Sequence, residues 1–181
     1  GIGPHDEGLA LQGAQRIADG QWPYADFWTN YVPGQFVLLA VPVKVLGPSL
    51  LWWRLIRIAL AATVALLAYR LLGRGRSPEW LRLLGWLAVA AAMAWPAAPG
   101  PNPPALALVL GGFLLLRRSP VAAGLLFGVA IAFRPEIALA GALGALLVGG
   151  GWRMAVTTVA TGTILLLPFF GRTSAGNLGH D

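Results

Sequence analysis

The chain predicts an all-α protein, a polytopic membrane helix bundle with two short interfacial helices near its N-terminal side. Three observations carry that expectation. Of 181 residues, 57% are hydrophobic and only 11% charged, whereas roughly a quarter of a typical soluble domain is charged. Successive apolar runs reach or approach the roughly 20 residues that cross a hydrocarbon layer of about 30 Å. The breaks between them are short and hold Arg, Pro or Gly, as expected where lipid forces the backbone to satisfy itself in helices.

The first expected element is an amphipathic helix over residues 7–19, with Ala10, Ala14 and Ile17 on one face and Gln12, Gln15, Arg16 and Asp19 toward the other. Such a segment lies in the membrane interface rather than crossing it. Asp6 suits its N-cap and Gly20 its C-terminal stop. The following stretch, QWPYADFWTNYVPG, predicts irregular structure, because two prolines and a closing Pro-Gly interrupt it. It crowds Trp22, Tyr24, Phe27, Trp28 and Tyr31 together. A second short helix is expected over 35–46, carrying Pro42 and Lys44.

Six membrane segments follow, over 54–72, 80–98, 104–116, 119–133, 137–148 and 154–170. The third to fifth are short, which suits helices that stop against other protein inside the bilayer. Residues 1–53 then form a first extracytoplasmic loop, 54–170 the membrane segments and 171–181 the start of a further extracytoplasmic stretch. The chain opens on Gly1 without an initiator Met, so it is expected to be a fragment, lacking a first membrane helix and a C-terminal part.

Basic residues set the orientation. Arg70, Arg74, Arg76 and Arg82, then Arg117 and Arg118, then Arg153 fall in alternate connections, the pattern of cytoplasmic loops. PAAPGPNPP carries no charge and FRPEI balances its Arg with a Glu, so these connections and the segment up to Trp53 are expected outside. The net charge of +6 is therefore an orientation signal, and nucleic acid is not an expected partner. With no cysteine, disulfides and thiolate metal sites are excluded, and His5 and His180 lack ligand spacing for zinc. No Gly-Lys-Ser/Thr phosphate loop occurs.

Candidate chemistry lies in three places. Adjacent side chains on a helix diverge by about 100°, so Asp6 and Glu7 do not form a paired acid dyad. Either carboxylate is a candidate general base at the bilayer boundary, or Asp6 caps a helix whose positive end Glu7 favours. In the aromatic loop, Tyr24 and Trp28 are either interface anchors or ligand contacts, while Asp26 and Asn30 either bind a polar ligand or pin the loop through turn hydrogen bonds. Arg134, in Arg134-Pro135-Glu136, is an ionisable group near or below the membrane surface. It either holds a phosphate through a charge-assisted fork or pairs locally with Glu136. Asn102 either bonds a substrate or caps the helix ahead of Pro103 and Pro104.

The acidic pair, the helix ending RIADGQWPYADFW, then YVPGQFVLLAVPVKVLG and an Arg-bearing membrane helix resemble the first extracytoplasmic loop of the GT-C superfamily of membrane glycosyltransferases. The likeness is to bacterial protein O-mannosyltransferases and aminoarabinose transferases, the glycosyltransferase 39-like proteins. AGLLFGVAIAFRPEIAL resembles that family's later helix pair with a basic residue at the break. The resemblance covers residues 4–147. It implies a bacterial plasma-membrane enzyme, multi-pass, with an extracytoplasmic active site. A sugar would pass from a polyprenyl-phosphate donor to a hydroxyl of a protein, lipid or glycan acceptor, with inversion. Asp6 matches the family's catalytic base and Glu7 its companion; Arg134 would face the leaving phosphate. No cofactor is implied, and a divalent cation at Asp6 or Glu7 stays open. Two departures stand out: Arg134 replaces the Lys of many relatives, and PAAPGPNPP lacks the second acidic position that some carry. The competing readings are a transporter or flippase, which also builds sites from broken helices, and a noncatalytic membrane assembly subunit.

Overall fold

The computed structural model describes residues 4–94 and 100–171, with side chains described from residue 8 to 169 within those ranges. Among the described residues the regular elements are helices: α1 (Pro4–Ala18), α2 (Gly34–Leu46), α3 (Leu50–Arg74), α4 (Glu79–Ala94), α5 (Asn102–Leu115), α6 (Pro120–Ile131), α7 (Pro135–Leu147) and α8 (Gly151–Gly171). Each expected segment has a helix, and the bounds move by a few residues. The predicted end of α4 at 98 and the tail after 171 lie outside the described residues.

Local chemistry explains most of the ends. α1 stops in a Schellman arrangement, Gln21 N–H donating to Arg16 O at 2.9 Å and Gly20 N–H to Ile17 O at 3.0 Å. This needs the left-handed φ of +90° that Gly20 supplies. α3 and α6 start on serine caps: the hydroxyl oxygens of Ser49 and Ser119 accept from Leu51 N–H and Ala122 N–H. The other end of α1 departs from expectation. Its helix begins at Pro4, so Asp6 falls inside the first turn and is not the cap.

Small residues set the packing. Gly124 of α6 lies against Met154 and Thr157 of α8, Gly128 against Thr158 and Thr161, and Gly162 of α8 against Ile131. The pairing advances along both helices together, so α6 and α8 run parallel. Val109 and Phe113 of α5 likewise meet Gly141 and Gly144 of α7 in ascending order. Phe127 fills the centre of this four-helix group, surrounded by Val109, Ala123, Ala130, Ala138, Ala142 and Met154. A second cluster joins α1, α2 and α3 through Ala14, Leu39, Ala40, Val43 and Trp53.

Large apolar side chains stand on the outside, among them Leu55, Ile58 and Leu66 of α3, Leu83 and Leu87 of α4, and Val159, Ile164 and Leu167 of α8. Close Gly and Ala contacts inside with Leu and Ile outside is the arrangement of helices that pack in lipid, where apolar burial does not drive association. α3 and α8 are long and apolar enough to cross a membrane. α2, α5, α6 and α7, at 13, 14, 12 and 13 residues, fall short of the roughly 20 residues of a full crossing.

The bundle has two different ends. At one, the last turn of α3 meets that of α5, where Arg74 donates to Phe113 O at 3.1 Å and to Leu114 O. At the other, α1, the aromatic loop and the starts of α2, α3, α5 and α7 converge on the ends of α6 and α8.

Candidate functional site

The polar centre of the aromatic end is built on Arg134. This residue precedes α7 in extended conformation, φ −148° and ψ 96°, because the following Pro135 disfavours helical geometry at the position before it. Its side chain thereby leaves α7 and reaches across. Nε donates to Asn102 Oδ1 at 2.8 Å and Nη1 to Glu136 Oε1 at 2.6 Å. The side chains of Arg134 and Glu136 are 36% and 59% exposed, so the ion pair is partly wet and contributes at most about 1 kcal/mol. Asn102 does not cap α5. It is the first helical residue after Pro101, which makes no side-chain cap bond, and its carbonyl oxygen holds Arg134 instead.

The N-terminal unit docks on this centre through backbone. Gly34 N–H donates to Ala132 O at 2.8 Å, and a Cβ at Gly34 would lie 2.8 Å from the Ala132 carbonyl carbon. The closing Pro33-Gly34 of the loop therefore has steric and hydrogen-bonding reasons for its glycine.

The aromatic loop is held by its own polar groups. Asp26 Oδ2 accepts from Trp22 N–H at 2.6 Å, Tyr24 donates from its hydroxyl to Tyr31 O at 2.9 Å, and Thr29 Oγ1 accepts from Tyr31 N–H at 3.1 Å. Tyr24 adopts a left-handed φ of +67°, which costs a non-glycine residue energy and persists only where surroundings enforce it. Partial burial pushes the Tyr24 hydroxyl above its ordinary pKa. On the outside, the Trp22 ring packs on Phe169 near the end of α8, centroids 5.5 Å apart.

Between α1 and this loop runs an open cleft of about 330 Å³, lined on the helix side by Leu9, Gln12, Gly13 and Arg16 and on the loop side by Phe27 to Tyr31. Positions 9, 12, 13 and 16 repeat one helix face. The Arg16 guanidinium sits 5.4 Å from the Phe27 ring centre, and Trp28 is 78% exposed. At its inner end, bounded by Leu9, Tyr31 and Phe36, lies a small cavity of about 20 Å³ against Gln35, Trp53 and Gly100. Trp53 is 2% exposed and Gln35 is 4% exposed. Trp53 Nε1 has no hydrogen-bond partner among the described residues, and leaving such a donor buried and unpaired costs about 1–3 kcal/mol.

The expected site residues thus divide. Trp28 and Asn30 line the cleft, Asn102 and Arg134 bond each other between the start of α5 and the α6–α7 break, and the Asp26 carboxylate and Tyr24 hydroxyl bond within the loop. Asp6 and Glu7 lie in the first turns of α1, and their side chains are outside the described set. They precede Leu9 and Ala10 by three residues, one helix-face interval, and Leu9 and Ala10 both line the inner cavity. No group of three His, Asp or Glu that could hold a metal forms among the described residues. Gln12, Arg16, Gln35 and Trp53 were not expected at a site. Gln12 and Arg16 read as the wet face of an amphipathic helix, and Trp53 only as the end of the first loop. The one available signal was the polar Gln35 directly after Pro-Gly at a helix start. No protein family, curated protein or solved structure matches the chain.

Proposed function

We propose that the chain belongs to the membrane domain of a bacterial glycosyltransferase, a polytopic helix bundle whose aromatic end faces the extracytoplasmic side. The donor is a polyprenyl-phosphate-linked sugar and the acceptor a hydroxyl of a protein, lipid or glycan. The observation that carries the reading is the convergence, through Gly34 N–H on Ala132 O, of the α1–α2 unit with the Asn102–Arg134–Glu136 cluster. In this reading α1 supplies the general base and the α6–α7 break a fixed cation. The glycine-packed helices and the apolar exterior support the membrane placement.

In the reaction, the Asp6 carboxylate takes the proton of the acceptor hydroxyl as its oxygen attacks the anomeric carbon. The bond from that carbon to the phosphate oxygen breaks on the opposite face, inverting the centre, and the electron pair leaves with polyprenyl phosphate. Arg134 stabilises the charge that develops on the leaving group, with Asn102 holding its guanidinium in place. Glu7 supports the base, and Trp28 and Asn30 contact substrate from the loop. Residues 1–53 act as lid and entry groove, and the tail of the donor stays in the bilayer.

A second reading has one observation in its favour. Arg134 is engaged by both Asn102 and Glu136, which suits a noncatalytic assembly subunit in which the cluster only ties helices together. Asp6→Asn in the full-length protein separates the two. Transfer from defined polyprenyl-phosphate sugars in membranes should fall by about 10²–10⁴-fold with expression intact, and retained turnover removes Asp6 from the base role.

A further inference from the structure

We propose that the groove between α3, α4 and α5 at the arginine-rich end seats an acyl chain of an anionic phospholipid, whose phosphate is held by Arg74, Arg117 and Arg118. The site is separate from the cleft at the aromatic end. It rests on the membrane placement in the proposed function and not on sugar transfer.

The groove, about 620 Å³, has the volume of a small-molecule pocket. Along α3 it runs from Ala68 to Gly75, a length of about 10 Å at 1.5 Å per residue. Ala88 of α4 and Leu110 of α5 wall the other sides, and Ser77 is the polar side chain in its lining. Small residues leave the space open, while α3 and α4 touch where Leu72 lies against Gly85. The neighbouring Leu84 and Leu87 are exposed, so in a bilayer the groove opens on lipid.

Such a groove does not by itself choose among lipids, because a chain that enters it leaves surroundings just as apolar. Charge makes the choice. Gly75 and Ser77 put the mouth of the groove at the α3–α4 turn. There Arg74 donates to Phe113 O at 3.1 Å and to Leu114 O, which brings the end of α5, and with it Arg117 and Arg118, to the same mouth. A guanidinium has five N–H donors, so Arg74 keeps others for a phosphate. Arg117 and Arg118 are exposed and pair with no carboxylate among the described residues. The carboxylate of this end, Glu79, is taken by Arg82 at 2.8 Å. Cations without a counter-ion beside an apolar groove between helices match a lipid phosphate above its acyl chain. In the proposed orientation this end meets the cytoplasmic leaflet, whose anionic lipids complement the charge.

The test uses the full-length protein in a non-ionic detergent and reads lipid binding by native mass spectrometry, independently of transfer. Probes are phosphatidylglycerol and phosphatidylcholine with the same acyl chains, glycerol phosphate and a polyprenyl phosphate. Phosphatidylglycerol should bind more tightly than phosphatidylcholine. Arg117→Gln and Arg118→Gln should each weaken phosphatidylglycerol about fivefold, the share of one basic residue at an anionic lipid surface, and leave phosphatidylcholine unchanged. Ala88→Trp fills the groove from an exposed position on α4 and should lower both lipids while keeping their ratio. Arg153→Gln, at the same end but on α8 beside the Trp152 ring, should change neither. Equal affinity for the two lipids, unchanged binding in both arginine variants, an equal loss with Arg153→Gln, or no effect of Ala88→Trp overturns the site. So does displacement of the lipid by glycerol phosphate, which would need no groove. Tighter binding of the polyprenyl phosphate, lost in the same variants, gives the groove to that lipid and overturns the phospholipid. Groove-dependent phosphatidylglycerol binding in a chain that transfers no sugar leaves the site standing and overturns the transferase reading. Transfer in a chain without phosphatidylglycerol selectivity does the reverse.

Discussion

The two ends of the bundle use their polar side chains in different ways. At the arginine-rich end, Arg74 closes on the terminal carbonyls of α5. Arg82 pairs with Glu79 at 2.8 Å, while its guanidinium carbon sits 4.2 Å from the Tyr69 ring centre, and the Tyr69 hydroxyl donates to Glu79. The open groove beside them, about 620 Å³ between α3, α4 and α5, is walled by Ala68, Leu71, Leu72, Ala88, Val89 and Leu110. Charge there fastens helix ends and the concavity is apolar. At the aromatic end, a cleft is lined by Gln12, Arg16 and Asn30. The lesson is that basic residues do not locate the site. Nor do buried nitrogens without a partner, since among the described residues each end has one, Trp53 Nε1 in α3 and Arg82 Nε in α4; what sets the aromatic end apart is a cleft lined by polar side chains.

That contrast breaks most completely if its chemistry is removed. Asp6→Asn, with an expected loss of about 10²–10⁴-fold in transfer, has no counterpart at the arginine end, where Arg76→Gln should leave turnover unchanged in the same assay. Next in size is the junction. Gly34→Ala forces a Cβ against the Ala132 carbonyl, and overpacking of this kind costs about 1–3 kcal/mol. Thermal unfolding in detergent should record that loss, and retained wild-type stability would mean the α1–α2 unit is not seated on the α6–α7 break.

Smaller effects sharpen the comparison. Arg134→Lys keeps the charge and removes the Nε donor that Asn102 accepts, so it should cost about 1 kcal/mol and lower transfer more than it lowers stability. Arg82→Gln breaks an i,i+3 pair and should cost at most about 1 kcal/mol. Tyr24→Phe should loosen the loop by about 1 kcal/mol at neutral pH, read as faster amide exchange over residues 22–31. In the wild type the Tyr24 pKa is raised on folding. Its contribution is therefore complete below the unfolded tyrosine value of about 10 and declines as pH rises through the folded value. Tyr24→Phe should lack this alkaline step.

Sequence alone determined the all-α class and, among the described residues, the eight helices to within a few residues, because apolar periodicity, Ser caps, Pro starts and Gly stops act over one or two turns. The local pairing of Arg134 with Glu136, two residues apart, was legible for the same reason. So were the glycine at the end of α1 and the turn bonding of Asp26. The tertiary structure alone decided that Asn102 takes Arg134 instead of capping its helix, that Gly34 docks on Ala132, and that Trp53 and Gln35 meet Leu9 across a cavity. Those contacts join residues between 18 and 98 positions apart. A residue's type says which bonds it is able to make, but not which distant partner will be within 3 Å of it; that depends on how small-residue faces let helices approach, and so on the packing of the whole bundle.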